Sequence, residues 1–209
     1  MNILSHRGYW KHASEKNTLA AFARSFDLGF GTETDVRDRG ADLVISHDPP
    51  CGGELLIEEV LDLLGDRDLP LAINVKADGL AARIHQAFAG RPQSQWFVFD
   101  MSIPDTLQHL KQGNPTFTRQ SEYEPQPALA EQAAGVWLDS FVNEWWTVDD
   151  VHAWSARDKS VCIVSPELHR RDPATTWQRL ANSPLSKSKN VSLCTDFPEA
   201  VRDLLENQS

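Results

Sequence analysis

The sequence contains few of the features that mark secreted or membrane-spanning proteins. It has three cysteines, Cys51, Cys162 and Cys194, without the spacing of a metal-binding motif. This small odd number argues against a disulfide framework and favours a reducing compartment, so we expect a cytoplasmic protein. The chain does not open with a basic segment followed by an apolar core, so we predict no signal peptide. No apolar run approaches the ~18 residues that cross a bilayer, so we also predict no transmembrane segment.

Positive charge is scarce as well. The 20 lysines and arginines are outnumbered by 30 aspartates and glutamates, and the net charge is −10. Because binding to a nucleic-acid backbone relies on lysine and arginine, we predict no nucleic-acid partner. A chain of 209 residues is long enough for one sizeable core. We therefore predict a single domain that spans residues 1–209.

Short apolar runs with strand character alternate with amphipathic helical stretches along the whole chain. We predict eight strand–helix units, with strands at 2–5, 31–36, 70–76, 95–100, 115–118, 135–139, 160–165 and 190–195. A further extended segment at 43–47 follows the second strand as a hairpin arm or a continuation. The predicted helices include 17–28, with Asn17 as the N-cap, and 197–205. The Pro- and Gln-rich stretch 122–127 is predicted to be a long loop.

Eight such units in about 200 residues match the lower size limit of a (β/α)8 TIM barrel, whose site residues lie at the carboxyl ends of strands. Polar residues follow nearly every predicted strand: His6, Arg7, Asp35, Lys76, Asp100, Arg119, Asp139, Ser165 and Asp196. An open doubly wound sheet is the alternative, but it does not need polar groups at almost every strand end. The predicted fold class is thus α/β, a compact (β/α)8 TIM barrel.

The most informative polar residues lie in the first 48. Glu33 and Asp35 are two apart on a predicted strand, so both carboxylates point to the same face. Two convergent carboxylates suit a hard divalent cation. His6 follows the first strand and His47 the extended segment, and two imidazoles suit general acid and base catalysis at phosphorus. Arg7 adds a planar fork that matches phosphate oxygens.

Together these motifs resemble the opening signature of glycerophosphodiester phosphodiesterases. The resemblance rests on His6-Arg7-Gly8, Asn17-Thr18-Leu19-Ala20-Ala21-Phe22, Gly29, Glu33-x-Asp35-Val36 and His47-Asp48, about the first 50 residues, with weaker similarity at 57–64 and 71–76. It implies a (β/α)8 barrel, catalysis by His6 and His47, and a divalent cation, Mg²⁺ or Ca²⁺, on Glu33 and Asp35. It also implies phosphate contacts from Arg7 and Lys76.

The sequence departs from the family pattern at three places. Asn74 stands where the family has a metal-binding glutamate; an amide oxygen can still bind a hard cation, although with less charge, and Asp100 could supply a carboxylate instead. Lys16 replaces the glutamate that usually precedes the Asn-Thr motif. Only about 22 residues separate His47-Asp48 from the third strand, so the small inserted subdomain of many members is missing. We therefore expect a more open site.

These observations predict metal-dependent hydrolysis of a small phosphodiester, glycerophosphodiester-like or sugar-linked, in lipid metabolism. Histidine acid and base catalysis would form either a cyclic phosphate or a monoester, and Arg119 is predicted to contact the substrate. The alternative is a non-catalytic barrel that binds a phosphorylated ligand, suggested by Asn74. A glycoside hydrolase ranks third, because its two carboxylates normally come from separate strands.

Several further residues in the second half of the chain allow two interpretations. Glu122, Asp139, Glu167 and His169 could contact a substrate at the barrel rim, or could equally be helix caps and surface charges, and we assign them no role. Among the tryptophans, Trp137 is predicted to be in the core. Trp10, in the first loop, is placed to touch a ligand.

Overall fold

The computed structural model describes residues 1–207, and its strands and helices alternate along the chain. The strands are β1 (Asn2–His6), β2 (Gly31–Arg39), β3 (Asp42–Ile45), β4 (Leu71–Val75), β5 (Trp96–Phe99), β6 (Phe117–Gln120), β7 (Gly135–Leu138), β8 (Ser160–Val164) and β9 (Val191–Thr195). The helices are α1 (Leu19–Asp27), α2 (Ile57–Leu64), α3 (Ala81–Phe88), α4 (Ile103–Gln112), α5 (Val148–Ser155), α6 (Ala174–Ala181) and α7 (Pro198–Glu206). Short 3₁₀ helices lie at Ala13–Glu15, Pro166–His169 and Pro184–Lys187. No helix among these residues is long and apolar enough to cross a membrane.

The strand order identifies the fold. It runs β5-β4-β2-β1-β9-β8-β7-β6, and β3 pairs with β2 outside this path. The order follows the chain cyclically without a reversal point, whereas a doubly wound sheet reverses its strand order near the middle. The chain therefore has the (β/α)8 barrel fold, as the sequence predicts, and the doubly wound alternative is wrong.

By their backbone contacts the described residues group into two compact units: His6–Thr116, and Met1–Ser5 with the chain from Phe117 onward. In the first unit, β2 pairs in parallel with β4, and β4 with β5. Its core joins the inner faces of α1, α2 and α3 to these strands, because their apolar residues recur at helical spacing. Its buried members include Phe22, Phe26, Leu61, Leu64, Ile73, Ile84 and Val98.

The second unit contains the parallel strands β6, β7, β8 and β9, and β1 pairs with β9 so that Leu4 lies opposite Cys194. Leu138, Ile163 and Leu193 on these strands are fully buried. Trp137 is also buried, which confirms its predicted core position. The prediction of a single domain over the whole chain stays a prediction.

Two predictions about individual elements require correction. Among the described residues no helix lies between β6 and β7. The fifth of the eight predicted strand–helix units therefore lacks its helix. Residues 121–134 form turns instead, because Pro125 and Pro127 lack the backbone N–H groups that a helix would use. The predicted loop at 122–127 is thereby confirmed, and so is the hairpin arm at 43–47, since β3 pairs antiparallel to β2.

The second correction concerns the start of α1. Thr18, not Asn17, is the N-cap: its backbone is extended, and its Oγ1 accepts a hydrogen bond from the Ala21 N–H at 3.4 Å. Asn17 lies one residue earlier with φ +59°, a left-handed conformation that asparagine tolerates better than most residues. This conformation frees the Asn17 side chain for a different contact, described below.

Candidate functional site

The candidate site lies in the His6–Thr116 unit and begins where β1 ends. His6 is the last residue of β1, and Arg7 and Gly8 follow with φ +61° and +79°. A Cβ atom at Gly8 would lie 2.8 Å from the Cβ of Ala21, so only glycine permits this close approach to α1. The Arg7 N–H donates to the carbonyl of Glu33 at 2.9 Å, which fixes the backbone of Arg7 beside β2.

Glu33 and Asp35 form a buried acidic pair on β2. Their exposed fractions are 2% and 0%. Because they are two residues apart on one strand, their side chains lie on the same face of the sheet. The Nε2 atom of His6 lies 3.9 Å from Oε2 of Glu33. The structure therefore brings together three of the residues that the sequence predicts for the site.

Asp35 is surrounded by positive and polar groups. Arg7 Nε lies 2.8 Å from its Oδ2 and Lys76 Nζ lies 3.4 Å from its Oδ1. The side-chain amide of Asn17 donates to Oδ2 at 3.0 Å, and its own oxygen accepts from the Thr34 hydroxyl at 2.9 Å. Asn17 is thus a site residue that sequence reasoning missed. Its left-handed φ is what brings the amide to Asp35.

Three buried oxygens at this site accept no hydrogen bond within residues 1–207: Glu33 Oε2, Asp35 Oδ1 and Asn74 Oδ1. Asn74 on β4 pairs in register with Asp35 on β2, so the two side chains share a face. Buried acceptors without a partner are destabilising unless a ligand satisfies them. Carboxylate and amide oxygens are the donors that Mg²⁺ and Ca²⁺ prefer, so these residues fit such a cation.

The amide of Asn74 is essential to this donor set. Residues 1–207 contain no group of three or more histidine, cysteine, aspartate or glutamate side chains placed to hold a metal ion. Asp100, the alternative third ligand, follows β5 with φ +69°, and its carboxylate is not one of the three unsatisfied oxygens. The assignment of Asn74 to the cation site, with Asp100 as the alternative, stays a prediction.

Burial also changes the acidity of the pair. Desolvation and, to a smaller extent, the nearby Asp35 charge raise the pKa of Glu33, the charges of His6, Arg7 and Lys76 oppose them, and the pKa that results is about 7. Since an ionised carboxylate is the better cation ligand, Glu33 must lose a proton near neutral pH before it can bind a divalent ion fully.

The structure places His47 at the edge of the site. The Ser46 N–H donates to the carbonyl of Asp35 at 3.0 Å, so the residue before His47 is bonded directly to β2. The His47 ring is about half exposed, and its Nδ1 lies 2.9 Å from Oδ1 of Asp48. The sequence predicts that His6 and His47 act on one phosphorus atom, and this stays a prediction.

Arg119 belongs to the other unit. Its guanidinium pairs with Glu124, with Nε 2.5 Å from Oε2, and lies 5.7 Å from the centre of the Phe141 ring. Its predicted role as a substrate contact therefore stays a prediction.

The same unit contains an Asp–His pair that sequence reasoning left unassigned. His169 Nε2 lies 2.7 Å from Oδ1 of the buried Asp139, and its ring packs against Phe141. Both residues follow strands, β7 and β8, which is visible in the sequence, but their pairing is not. Glu122 has a structural role, since its carboxylate accepts the N–H groups of Phe141 and Val142.

Glu167 is a structural residue as well. Its carboxylate accepts hydrogen bonds from the hydroxyls of Ser165 and Thr195 and from the Asp196 N–H. These contacts tie the short helix after β8 to the end of β9. All polar atoms of the Glu167 carboxylate are thereby used within the protein.

Comparison with known proteins finds solved structures that share this fold. No family model matches the sequence, and no curated protein matches it. Among solved structures, the chain resembles an Oleispira antarctica phosphodiesterase in complex with the product sn-glycerol-3-phosphate (TM-score 0.68, 16% identity, covering 99% of this chain and 97% of the other). It also resembles a Galdieria sulphuraria protein assigned as a glycerophosphodiester phosphodiesterase (TM-score 0.71, 20% identity, 99% and 98% covered).

A third similar structure is a Ca²⁺-dependent phosphatidylinositol-specific phospholipase C from Streptomyces antibioticus (TM-score 0.57, 12% identity, 98% of this chain and 95% of the other covered). At these low identities the likeness establishes the shared barrel fold. It agrees with the resemblance that the first 50 residues indicate.

Proposed function

We propose that this protein hydrolyses a small phosphodiester, glycerophosphodiester-like or sugar-linked, with the help of a divalent cation. The observation that carries the proposal is the buried pair Glu33 and Asp35, contacted by His6, Arg7 and Lys76 at the carboxyl ends of neighbouring strands. This is the end at which (β/α)8 proteins bind their substrates. The shared fold with phosphodiesterases, one of them bound to sn-glycerol-3-phosphate, supports it.

Glu33, Asp35 and Asn74 would hold the cation, Mg²⁺ or Ca²⁺. When bound, a divalent cation neutralises negative charge on the oxygens of a phosphodiester. The Ca²⁺ dependence of the similar Streptomyces enzyme supports this assignment.

Arg7 and Lys76 would bind the phosphate oxygens. Arg7 Nε lies at ion-pair distance from Asp35 but is not aligned for a hydrogen bond to it. While Arg7 stays beside Asp35, its guanidinium would present two parallel N–H groups to two phosphate oxygens. Lys76, about one fifth exposed, adds a second positive charge.

His6 and His47 would transfer protons. If the alcohol bears a hydroxyl next to the phosphate, one imidazole removes the hydroxyl proton and the freed oxygen bonds to phosphorus. The bond from phosphorus to the leaving alcohol breaks, and the second imidazole protonates that oxygen. Water then opens the cyclic phosphate with the two roles reversed; without a neighbouring hydroxyl, water attacks first and a monoester forms directly.

A hydrolysis assay tests the proposal. Glycerophosphocholine, glycerophosphoglycerol and bis(p-nitrophenyl) phosphate are incubated with the protein in Mg²⁺, Ca²⁺ or EDTA. We expect turnover only with a cation, and a loss of about 100-fold or more in both His6→Ala and His47→Ala, the usual contribution of a proton-transfer group. His152→Ala, on the exposed face of α5, is the matched control and should retain activity.

A second candidate function is binding of a phosphorylated ligand without turnover. The amide of Asn74 favours it, because a site with one carboxylate fewer holds a cation less tightly. Measurable binding of glycerol 3-phosphate with no hydrolysis of any substrate would establish this candidate in place of the first. A cytoplasmic location and a role in lipid metabolism stay predictions.

A further inference from the structure

The start of the chain is basic, although the protein as a whole is acidic. Residues 1–26 contain four lysines and arginines, Arg7, Lys11, Lys16 and Arg24, and a single acidic residue, Glu15. The rest of the chain contains 16 lysines and arginines against 29 acidic residues. The segment that follows β1 and borders the candidate site is therefore basic, in a protein whose net charge is −10.

Lys16 is the unusual member of this basic segment. Its Nζ lies 4.5 Å from the centre of the Trp10 ring, and the residue is half-buried. Within residues 1–207 the Lys16 ammonium has no carboxylate partner. The neighbouring Glu15 binds other groups instead. Its Oε2 accepts hydrogen bonds from Arg24 Nη1 at 3.0 Å and from the Lys11 N–H at 2.8 Å.

The two residues that position Lys16, Trp10 and Asn17, are both hydrogen-bonded to residues of the candidate site. The Trp10 Nε1–H donates to the carbonyl of His6 at 3.2 Å. On the other side, the N–H of Asn17 donates to the carbonyl of Arg7 at 2.9 Å, and the Asn17 amide contacts Asp35. Lys16 is thus held between a ring bonded to His6 and a residue bonded to Arg7. The Lys16 ammonium lies over one face of the Trp10 ring.

We propose that Lys16 binds a second anionic group of the substrate, a phosphate monoester or a carboxylate on the alcohol portion. Arg7 and Lys76 share Asp35 as their counter-ion, and the proposed function assigns both to the phosphodiester itself. Lys16 has no such counter-ion, so its charge is available for a further negative group. Cation–π contact with Trp10 holds the ammonium in place while leaving its hydrogen-bond donors for an anion. The inference rests on the proposed function for the site that it extends.

The test compares binding of two probes that differ by one phosphate. His6→Ala is used to prevent turnover, and the dissociation constants of glycerophosphoinositol and glycerophosphoinositol 4-phosphate are measured by calorimetry at low ionic strength. We expect the 4-phosphate to bind about fivefold more tightly, the effect of one partly exposed charge pair. Adding Lys16→Gln should reduce this ratio to about one, whereas Lys16→Arg should preserve most of it.

Lys111→Gln is the matched control, because Lys111 is exposed on α4 in the same unit and its loss changes the net charge equally. It should leave the ratio unchanged. The inference is overturned if Lys16→Gln weakens both probes equally or neither, or if Lys111→Gln lowers the ratio as much. If the ratio depends on Lys16 but the wild-type protein hydrolyses nothing, the proposed function fails while the second anion site stands.

Discussion

Asp35 is the residue on which the contacts of the candidate site converge. It is fully buried and contacts two cations, Arg7 and Lys76, as well as the amide of Asn17. A buried ion pair is weak evidence for stability by itself, but removal of one partner leaves the other charge uncompensated. Asp35 therefore has a structural role that is separable from any role in binding a cation.

We predict that Asp35→Asn lowers the free energy of unfolding by about 2–4 kcal/mol, somewhat less than for a fully buried network, because Arg7 and Lys76 are each about one fifth exposed. Urea unfolding in EDTA measures this. Asp42→Asn is the control, since Asp42 is exposed and pairs only at 3.7 Å with Arg39; its effect should be below about 0.5 kcal/mol. If the two variants were equally stable, solvent would have to stabilise the charges of Arg7 and Lys76 without Asp35.

The proposal that Glu33 is a cation ligand predicts that cation binding depends on pH. Burial raises its pKa to about 7, so below pH 7 the folded protein holds a proton that must leave when the cation binds. We predict that affinity for Mg²⁺ or Ca²⁺ increases by up to about tenfold per pH unit below pH 7 and levels off above it. Calorimetric titrations at pH 5.5, 6.5, 7.5 and 8.5 measure the profile. An affinity that is constant across this range would show that Glu33 is not a ligand.

The same raised pKa affects stability in EDTA with a defined sign. The folded state binds the Glu33 proton more tightly than the unfolded chain does, so this stabilising contribution is complete below the unfolded pKa near 4.5. It is lost as pH rises through about 7. Glu33→Gln, which cannot ionise, should remove this part of the pH dependence and serves as the control.

The sequence predicts some of these residues and not others for physical reasons. Glu33 and Asp35 are predictable because alternate residues of a strand share a face. Asn17 is not, since its role depends on a left-handed backbone and on a hydrogen bond from Thr34, and both arise only in the folded chain. The side-chain orientation of His47, exposed and paired with Asp48, is equally invisible in the sequence.

At the scale of the elements, α3 and α4 enclose a buried polar network. His109 on α4 is fully buried; its Nδ1 lies 3.0 Å from Asn114 Nδ2, and its Nε2 lies 3.5 Å from Oδ2 of Asp105. The oxygen of the Asn114 amide contacts Nδ1 of His85 on α3 at 3.0 Å. Since the Asn114 amide donates to Nδ1, the single proton of neutral His109 lies on Nε2.

Burial lowers the pKa of His109, and the nearby Asp105 opposes this only in part. The unfolded chain, with an ordinary histidine pKa near 6.5, therefore takes up the proton more readily than the folded protein does. We predict that the contribution of His109 to stability is complete above pH 6.5 and decreases as pH falls below it, through the lower pKa of the folded state. Thermal unfolding between pH 5 and 7.5 measures this decrease.

His109→Gln should flatten the profile between pH 6.5 and 5, although it lowers stability at pH 7.5 because the buried contact is altered. His152→Gln is the matched control, since His152 is exposed on α5, and it should leave the profile as in the wild type. A pH profile that His109→Gln leaves unchanged would place the acid sensitivity elsewhere.

The alternation of strands and helices was predictable because periods of 2 and 3.6 residues can be read directly from the chain. The missing helix after β6 was not, although Pro125 and Pro127 already indicated a loop there. What replaces the helix depends on distant contacts: Glu122 accepts the N–H groups of Phe141 and Val142, 19 and 20 residues further along. Such long-range hydrogen bonds have no local sequence signal.

For the whole molecule, the sequence predicts the barrel because polar residues recur at the ends of successive strands. It does not predict the division into two compact units, which assigns His6, Glu33, Asp35 and Asn74 to one unit and Arg119 to the other. Nor does it pair Asp139 with His169, because their strands are joined by a whole helix and its loops.

The way in which the chain builds the two units predicts how it unfolds. The unit from Phe117 onward includes Met1–Ser5, since β1 pairs with β9. It is therefore completed from both ends of the chain, and the other unit is an insertion between β1 and β6. We predict a single cooperative unfolding transition, because β1, which the unit from Phe117 onward needs for its pairing with β9, continues at His6 directly into the other unit.

Cation binding provides a test, because the two units carry different probes. Five of the seven tryptophans lie from Trp137 onward, whereas the proposed cation ligands Glu33, Asp35 and Asn74 lie in the other unit. At ten times its dissociation constant a cation adds about 1.4 kcal/mol of stability, roughly 3–6 °C in Tm for a chain of this size. If unfolding is cooperative, tryptophan fluorescence and far-UV circular dichroism should shift together by this amount. A shift in circular dichroism without one in fluorescence would mean that the unit that binds the cation unfolds on its own.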